Sequence, residues 1–246
     1  MTISSCCIYK ESPGALRDGS TEGPRFEDRR AGQCGDVMIK LYHCAAARSF
    51  RALWALEEMR LPYELVLMPF PPRARFPDYK TLNPLGTVPV LFDGEHRMTE
   101  SAAICHYLGA KYGPTDLVVS PQEDAFAEYL NFLHMGEATL TFPQTIVLRY
   151  TRLEPPERRV PQAAEDYRIW FLARLKAAAN LVGDQYVCAD RFTMADISFS
   201  YSLLLATSLG IAGEFPPKLI PYWERLQQLD GFKRAKSAEA SEPAPF

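Results

Sequence analysis

The stretch Val88-Pro89-Val90-Leu91-Phe92-Asp93-Gly94-Glu95-His96-Arg97-Met98-Thr99-Glu100-Ser101-Ala102-Ala103-Ile104 decides the architecture of the first half of the chain. Val88–Phe92 and His96–Thr99 flank Asp93-Gly94-Glu95. An Asp-Gly pair between two short β-prone runs is a strong hairpin signal, because glycine accepts the positive φ of a tight turn. The two runs are read as antiparallel strands. From Ser101 the spacing changes: Ile104, Tyr107 and Leu108 recur at helical intervals until Gly113-Pro114 stops the run after Tyr112.

Upstream, Ile39, Leu41 and His43 alternate with Lys40 and Tyr42, as a short strand requires. Ser49–Arg60 carries Phe50, Leu53, Trp54 and Leu56 on a broad apolar stripe, with Glu57 and Glu58 left to face water. Leu61-Pro62 breaks this helix, and the β-prone Tyr63–Met68 follows at once. Strand, helix and strand within about thirty residues make a parallel crossover unit. The first domain, 38–116, is thus β-α-β followed by β-β-α.

Downstream the strand signal fades. Phe126, Leu130 and Leu133 recur at helical spacing, as do Tyr167, Phe171 and Leu175, so 122–235 is read as an all-helical domain. Thr193 is an N-cap with Asp196 at the third helical position, introducing the apolar run Ile197–Leu205 of a buried helix. The fold class is α/β plus all-α. Residues 1–37 lack any periodic apolar pattern and are expected to be a disordered leader; an upstream extension ahead of a functional start at Met38 is the alternative reading. Residues 236–246 are expected to be a flexible tail.

A formal charge of -3 with both signs interspersed excludes a phosphate-neutralising nucleic-acid surface or a polybasic membrane patch. Six cysteines without a CxxC pair are not a disulfide framework. The sequence offers neither a long apolar run nor a secretory signal pattern, and a cytoplasmic protein is expected.

Asn83-Pro84-Leu85-Gly86-Thr87-Val88-Pro89-Val90-Leu91, followed by Glu100-Ser101-Ala102-Ala103-Ile104 and Tyr107-Leu108, resembles the glutathione-binding half of the cytosolic glutathione transferases, bacterial type. Leu41-Tyr42, Leu56-Glu57-Glu58 and Phe192–Asp196 extend the resemblance over nearly all of 38–235. It implies a thioredoxin-like first domain, then a helical one, with glutathione as co-substrate and no metal. It also implies a small hydrophobic electrophile held between the domains, a detoxifying role and a homodimer, with no nucleic-acid or membrane partner.

Val88-Pro89 looks like the family's cis-proline turn, in which the residue before proline offers its N–H and C=O to the cysteinyl part of glutathione. Read alone, Pro89 also suits the opening of an edge strand. Glu100-Ser101 sits at a strand-to-helix junction, where free N–H groups and the positive helix end favour an anion. The resemblance puts the γ-glutamyl carboxylate on Ser101 and the α-ammonium near Glu100. Read alone, the pair is an ordinary helix start.

The thiolate is the nucleophile, and a free thiol is mostly protonated at neutral pH. Family members supply a Tyr, Ser or Cys donor between the first strand and helix, and the nearest hydroxyl in Ala47-Arg48-Ser49-Phe50-Arg51 is Ser49, the expected catalytic residue. Two positions depart from the pattern: Ala47, where serine-type members carry the hydroxyl, and Arg60, where a glycine often caps the helix. Tyr42, Cys44 and Arg48 are substitute donors. Rival readings are a glutathione-dependent lyase, dehalogenase or isomerase, and a non-catalytic binding or assembly protein. His134 and Glu137, three apart, do not amount to a metal site and are read as solvated helix side chains.

Overall fold

The computed structural model describes residues 39–76 and 78–240. The leader expected over 1–37 and the start at Met38 lie outside the described residues, as do residues 241–246 of the expected tail. Four strands form one mixed sheet in the order β2-β1-β3-β4. β1 (Ile39–His43) pairs in parallel with β2 (Tyr63–Leu67), with Leu41 opposite Leu65. β3 (Val90–Asp93) runs antiparallel to both β1 and β4 (His96–Met98). Asp93 faces His96 across the hairpin, and Gly94 takes φ 59. The order of elements is the expected β-α-β then β-β-α, with two further single-turn helices, α2 (Pro72–Arg75) and α3 (Tyr79–Leu82), in the connection to β3.

Helix α1 (Phe50–Met59) crosses from β1 to β2, and α4 (Ser101–Lys111) follows β4. Every residue of α1 from Phe50 to Leu56 is buried, because both halves of the protein pack on it. Glu57 and Glu58 do not face open water: Arg234 Nε donates to Glu57 at 2.9 Å and Trp54 Nε1 to Glu58 at 2.8 Å. Arg60 closes α1 at φ 52, ψ 37, its N–H returning to Leu56 and Glu57 carbonyls, so the left-handed cap forms without glycine. A β-carbon there meets the following carbonyl group. Arg60→Gly is therefore expected to raise folding stability by about 1 kcal/mol, read as a higher denaturation midpoint at unchanged slope.

The remaining chain is helical. α5 (Phe126–Met135), a wide π-type turn Gly136–Thr141, α6 (Phe142–Leu148) and a second such turn Arg149–Leu153 follow one another without a break. α7 (Pro161–Ala179), α8 (Met194–Ser208), α9 (Leu219–Leu226) and α10 (Asp230–Glu239) complete the bundle. α8 is its axis, buried almost throughout, and its capping box forms in both directions: Thr193 Oγ1 accepts from Ala195 N–H, and Asp196 accepts from Thr193 N–H at 2.8 Å. Gly136 lies against α8 so closely that an added Cβ would stand 2.4 Å from the Ser198 carbonyl, which leaves room for glycine alone. No described helix is long and apolar enough to cross a membrane.

Residues 236–239, expected to open the tail, are helical. α10 continues to Glu239, with Phe232, Ala235 and Glu239 on one buried stripe. Phe232 is wedged among Phe50, Trp54 and Trp223 at centroid distances of 5.5, 4.9 and 5.6 Å, an anchor that makes ordering the following turns favourable.

Candidate functional site

A cleft of about 380 Å³ opens between the C-terminal edge of the sheet and the helical half, within the size range of small-molecule sites. One wall is Thr87-Val88-Pro89 with Thr99-Glu100-Ser101. β3 enters the ladder only at Val90, since Pro89 lacks an N–H, so the Val88 main chain stays at the cleft rather than in the sheet. The Val88-Pro89 bond is cis. Glu100 is the N-cap of α4 and exposed, while Ser101, the first helical residue, is 3% exposed at the cleft floor. The leading N–H groups of α4 have no partner within the helix and turn its positive end toward the same wall. Sequence reasoning thus selected four residues, Val88, Pro89, Glu100 and Ser101, that the fold brings together along one surface.

The facing wall begins with Ala46, Ala47 and Arg48, from the loop between β1 and α1. Ser49 is not part of it, which corrects the expectation of an accessible catalytic hydroxyl. Its side chain is fully buried; Oγ donates to the Cys44 carbonyl and accepts from the Cys44 N–H, both at 3.3 Å. Those two bonds tie the loop to itself and point the hydroxyl away from the cleft. Ser49→Ala is expected to lose about 1–3 kcal/mol of stability, by removing two buried hydrogen bonds at about 0.5–1.5 kcal/mol each, read as a lower denaturation midpoint. Cys44 is likewise fully buried beneath the loop.

Under the floor lies Arg51, a cation with no exposed surface, which sequence reading missed. All of its N–H donors are used: Nε to the Ser198 carbonyl at 3.1 Å, Nη1 to Ser101 Oγ at 3.2 Å and Glu137 Oε2 at 2.6 Å, Nη2 to the Gly136 carbonyl at 3.0 Å and Thr141 Oγ1 at 2.8 Å. Its guanidinium also stacks 4.3 Å from the centre of the Tyr201 ring. The π-type turn supplies three of these acceptors, the Gly136 carbonyl, the Glu137 carboxylate and the Thr141 hydroxyl, and Thr141 Oγ1 in turn donates to the Gly136 carbonyl.

Glu137 is shared with a second arginine, Arg48, whose Nε donates to Oε1 at 2.5 Å. Burial alone would raise the Glu137 carboxyl, but the two guanidinium groups outweigh it and hold the group below the ordinary glutamate range. Glu137 is therefore an ion-paired site residue, not the solvated side chain expected, and its carboxylate is fully engaged. Two cations against one half-buried anion leave an excess positive charge beside the cleft. Arg48 uses only Nε; its two terminal amino groups carry no hydrogen bond among the described residues, on a side chain 32% exposed. The outer wall is apolar, with Phe70, Leu148, Leu153 and Leu205 facing the loop.

A family model of the glutathione S-transferase N-terminal domain matches residues 47–111. Glutathione S-transferase 3 of Schizosaccharomyces pombe is 39% identical over 203 residues, which is 77% of this chain and 82% of that protein. Glutathione S-transferase hmp2 of Hypomyces subiculosus is 30% identical over 218 residues, 83% of this chain and 100% of its own length. Among solved structures, the glutathione transferase URE2P8 of Phanerochaete chrysosporium with oxidized glutathione superposes with a TM-score of 0.73, at 22% identity, over 85% of this chain and 98% of the other. At that identity the likeness concerns the fold.

Proposed function

Because the chain belongs to the glutathione S-transferase family, we propose that it binds glutathione in this cleft and turns the thiol, as its thiolate, on a small electrophile. In this reading the cysteinyl main chain lies against Val88, ahead of Pro89, and the γ-glutamyl end reaches Ser101, Glu100 and the start of α4. The single observation that carries it is the convergence of these four residues on one wall, opposite a cationic loop.

The sulfur then falls toward Ala46, Ala47 and Arg48. With Ser49 turned inward, the thiolate is stabilised by the free amino groups of Arg48 and by the net positive charge of the Arg48, Arg51 and Glu137 cluster. A guanidinium next to a thiol favours the charged form and lowers its pKa. Bound thiolate attacks the electrophile's carbon, the thiol proton leaves to water, and a thioether forms with loss of a leaving group or by addition across an activated double bond. The apolar outer wall suits a hydrophobic electrophile. The same reading carries two domains, 38–116 and 122–235, working as a cytoplasmic homodimer.

Glutathione titrated calorimetrically into the wild-type protein, followed by conjugation of a chromogenic aryl halide, tests the proposal. The absorbance of enzyme-bound thiolate across pH tests the donor. Arg48→Ala is expected to raise the bound thiol's pKa by about 1–2 units, which lowers the thiolate fraction near neutrality by at most about 10- to 100-fold. An unmoved titration midpoint in that variant discards Arg48 as the donor, and the absence of any glutathione uptake discards the cleft.

A further inference from the structure

Ala46, at the cleft end of the loop, has φ 56, a left-handed conformation disfavoured for a residue with a β-carbon. Such a conformation persists where the surroundings over-determine it. Both main-chain groups of Ala46 are held by side chains from the helical half. Its N–H donates to Glu239 Oε2 at 3.0 Å, and its carbonyl accepts from the Tyr201 hydroxyl at 3.1 Å. Neither contact belongs to a regular element, and the two partners lie 193 and 155 residues away.

Glu239 is poorly placed for a merely structural glutamate. It is 3% exposed at the end of α10, yet it is aimed at the loop, and its charge is met by His43 Nε2 at 3.2 Å and by Lys236. Burial alone would raise its carboxyl; the bonds from His43, Lys236 and Ala46 overcome that and hold it below the ordinary range, so Ala46 donates to a full negative charge. The ring of Tyr201 meanwhile lies on the Arg51 guanidinium, which links this hold on Ala46 to the floor of the cleft.

We infer that Glu239 and Tyr201 are positioning residues of the transferase cleft: by gripping Ala46 from both sides they fix the Cys44–Ser49 loop so that Arg48 faces the bound thiol. The inference rests on the reading of the cleft given above and adds that the last described helix sets the geometry of a site built on the first strand. Glu239 does not line the cleft and acts through Ala46; Tyr201 lines it and holds Ala46 through its hydroxyl.

Amide hydrogen exchange of the ligand-free enzyme, followed at Ala46, and the pH midpoint of bound thiolate absorbance test this together. Glu239→Ala is expected to speed exchange at Ala46 by at least tenfold and to raise the thiolate midpoint. Glu239→Gln, which keeps an acceptor oxygen, is expected to restore exchange to within about threefold of wild type. Loss of packing alone lowers the unfolding temperature without moving the thiolate midpoint of the folded enzyme. Unchanged exchange and midpoint in a folded Glu239→Ala protein overturn the inference. Should that variant not fold, Tyr201→Phe decides: faster exchange over residues 46–48 with a raised midpoint supports it, and neither change overturns it. A wild-type enzyme that takes up no glutathione sinks the reading of the cleft, whereas the exchange rates still judge the grip on Ala46.

Discussion

Arg51→Ala should be the most damaging single change in the protein, lowering folding stability by about 3–5 kcal/mol, the usual result of removing one partner from a buried ion pair. The loss extends beyond Glu137: the buried Ser198, Gly136, Thr141 and Ser101 each lose a donor at once. Arg51→Lys should recover little, because an ammonium offers three donors from one point and cannot match acceptors spread around a planar fork. Denaturant unfolding at constant slope measures both. A loss below about 1 kcal/mol for the alanine variant would mean that the network forms no real part of the folded state's stability.

Ser101→Ala carries the second large effect, this time on binding. Ser101 Oγ already accepts from Arg51, so its own proton is left for an acceptor in the cleft, and in the proposed complex that acceptor is a carboxylate. Hydrogen bonds to charged groups contribute about 1.5–3 kcal/mol, which converts to a roughly 10- to 150-fold weaker glutathione dissociation constant. Stability should fall by no more than about 1 kcal/mol, since Arg51 Nη1 keeps Glu137 at 2.6 Å. Calorimetric titration of the variant checks the affinity, and an unchanged constant would place the carboxylate elsewhere.

The elements legible in the sequence are those whose signal is local. Asp93-Gly94 announces its own turn, and the Thr193 and Asp196 pair announces its own helix. The helix start at Glu100-Ser101 is legible because a strand-to-helix junction needs no distant partner, whereas its link to a carboxylate comes from the family resemblance. Arg51 is not legible, because an arginine within an amphipathic helix ordinarily marks the wet face, and the acceptors that reverse this come from segments 50 to 147 residues away. Glu239 was hidden for the same reason in a helix that reads as polar, where only Phe232 and Ala235 hint at a buried stripe. Ser49 was selected as the nearest hydroxyl by count along the chain. The left-handed turn at Ala46 and the inward rotation of Ser49 depend on contacts that no local pattern encodes.

The grip of α10 on the loop after β1 also orders events during synthesis. Ribosomes release a polypeptide from its amino end, and early segments fold as they emerge. Here the sheet and α1 are complete long before residue 239 appears, but Ala46 has no carboxylate to hold until then. A nascent or prematurely terminated chain can therefore own a finished sheet and still lack the hold on Ala46 that shapes the cleft, which arrives with the last helix to be translated among those described.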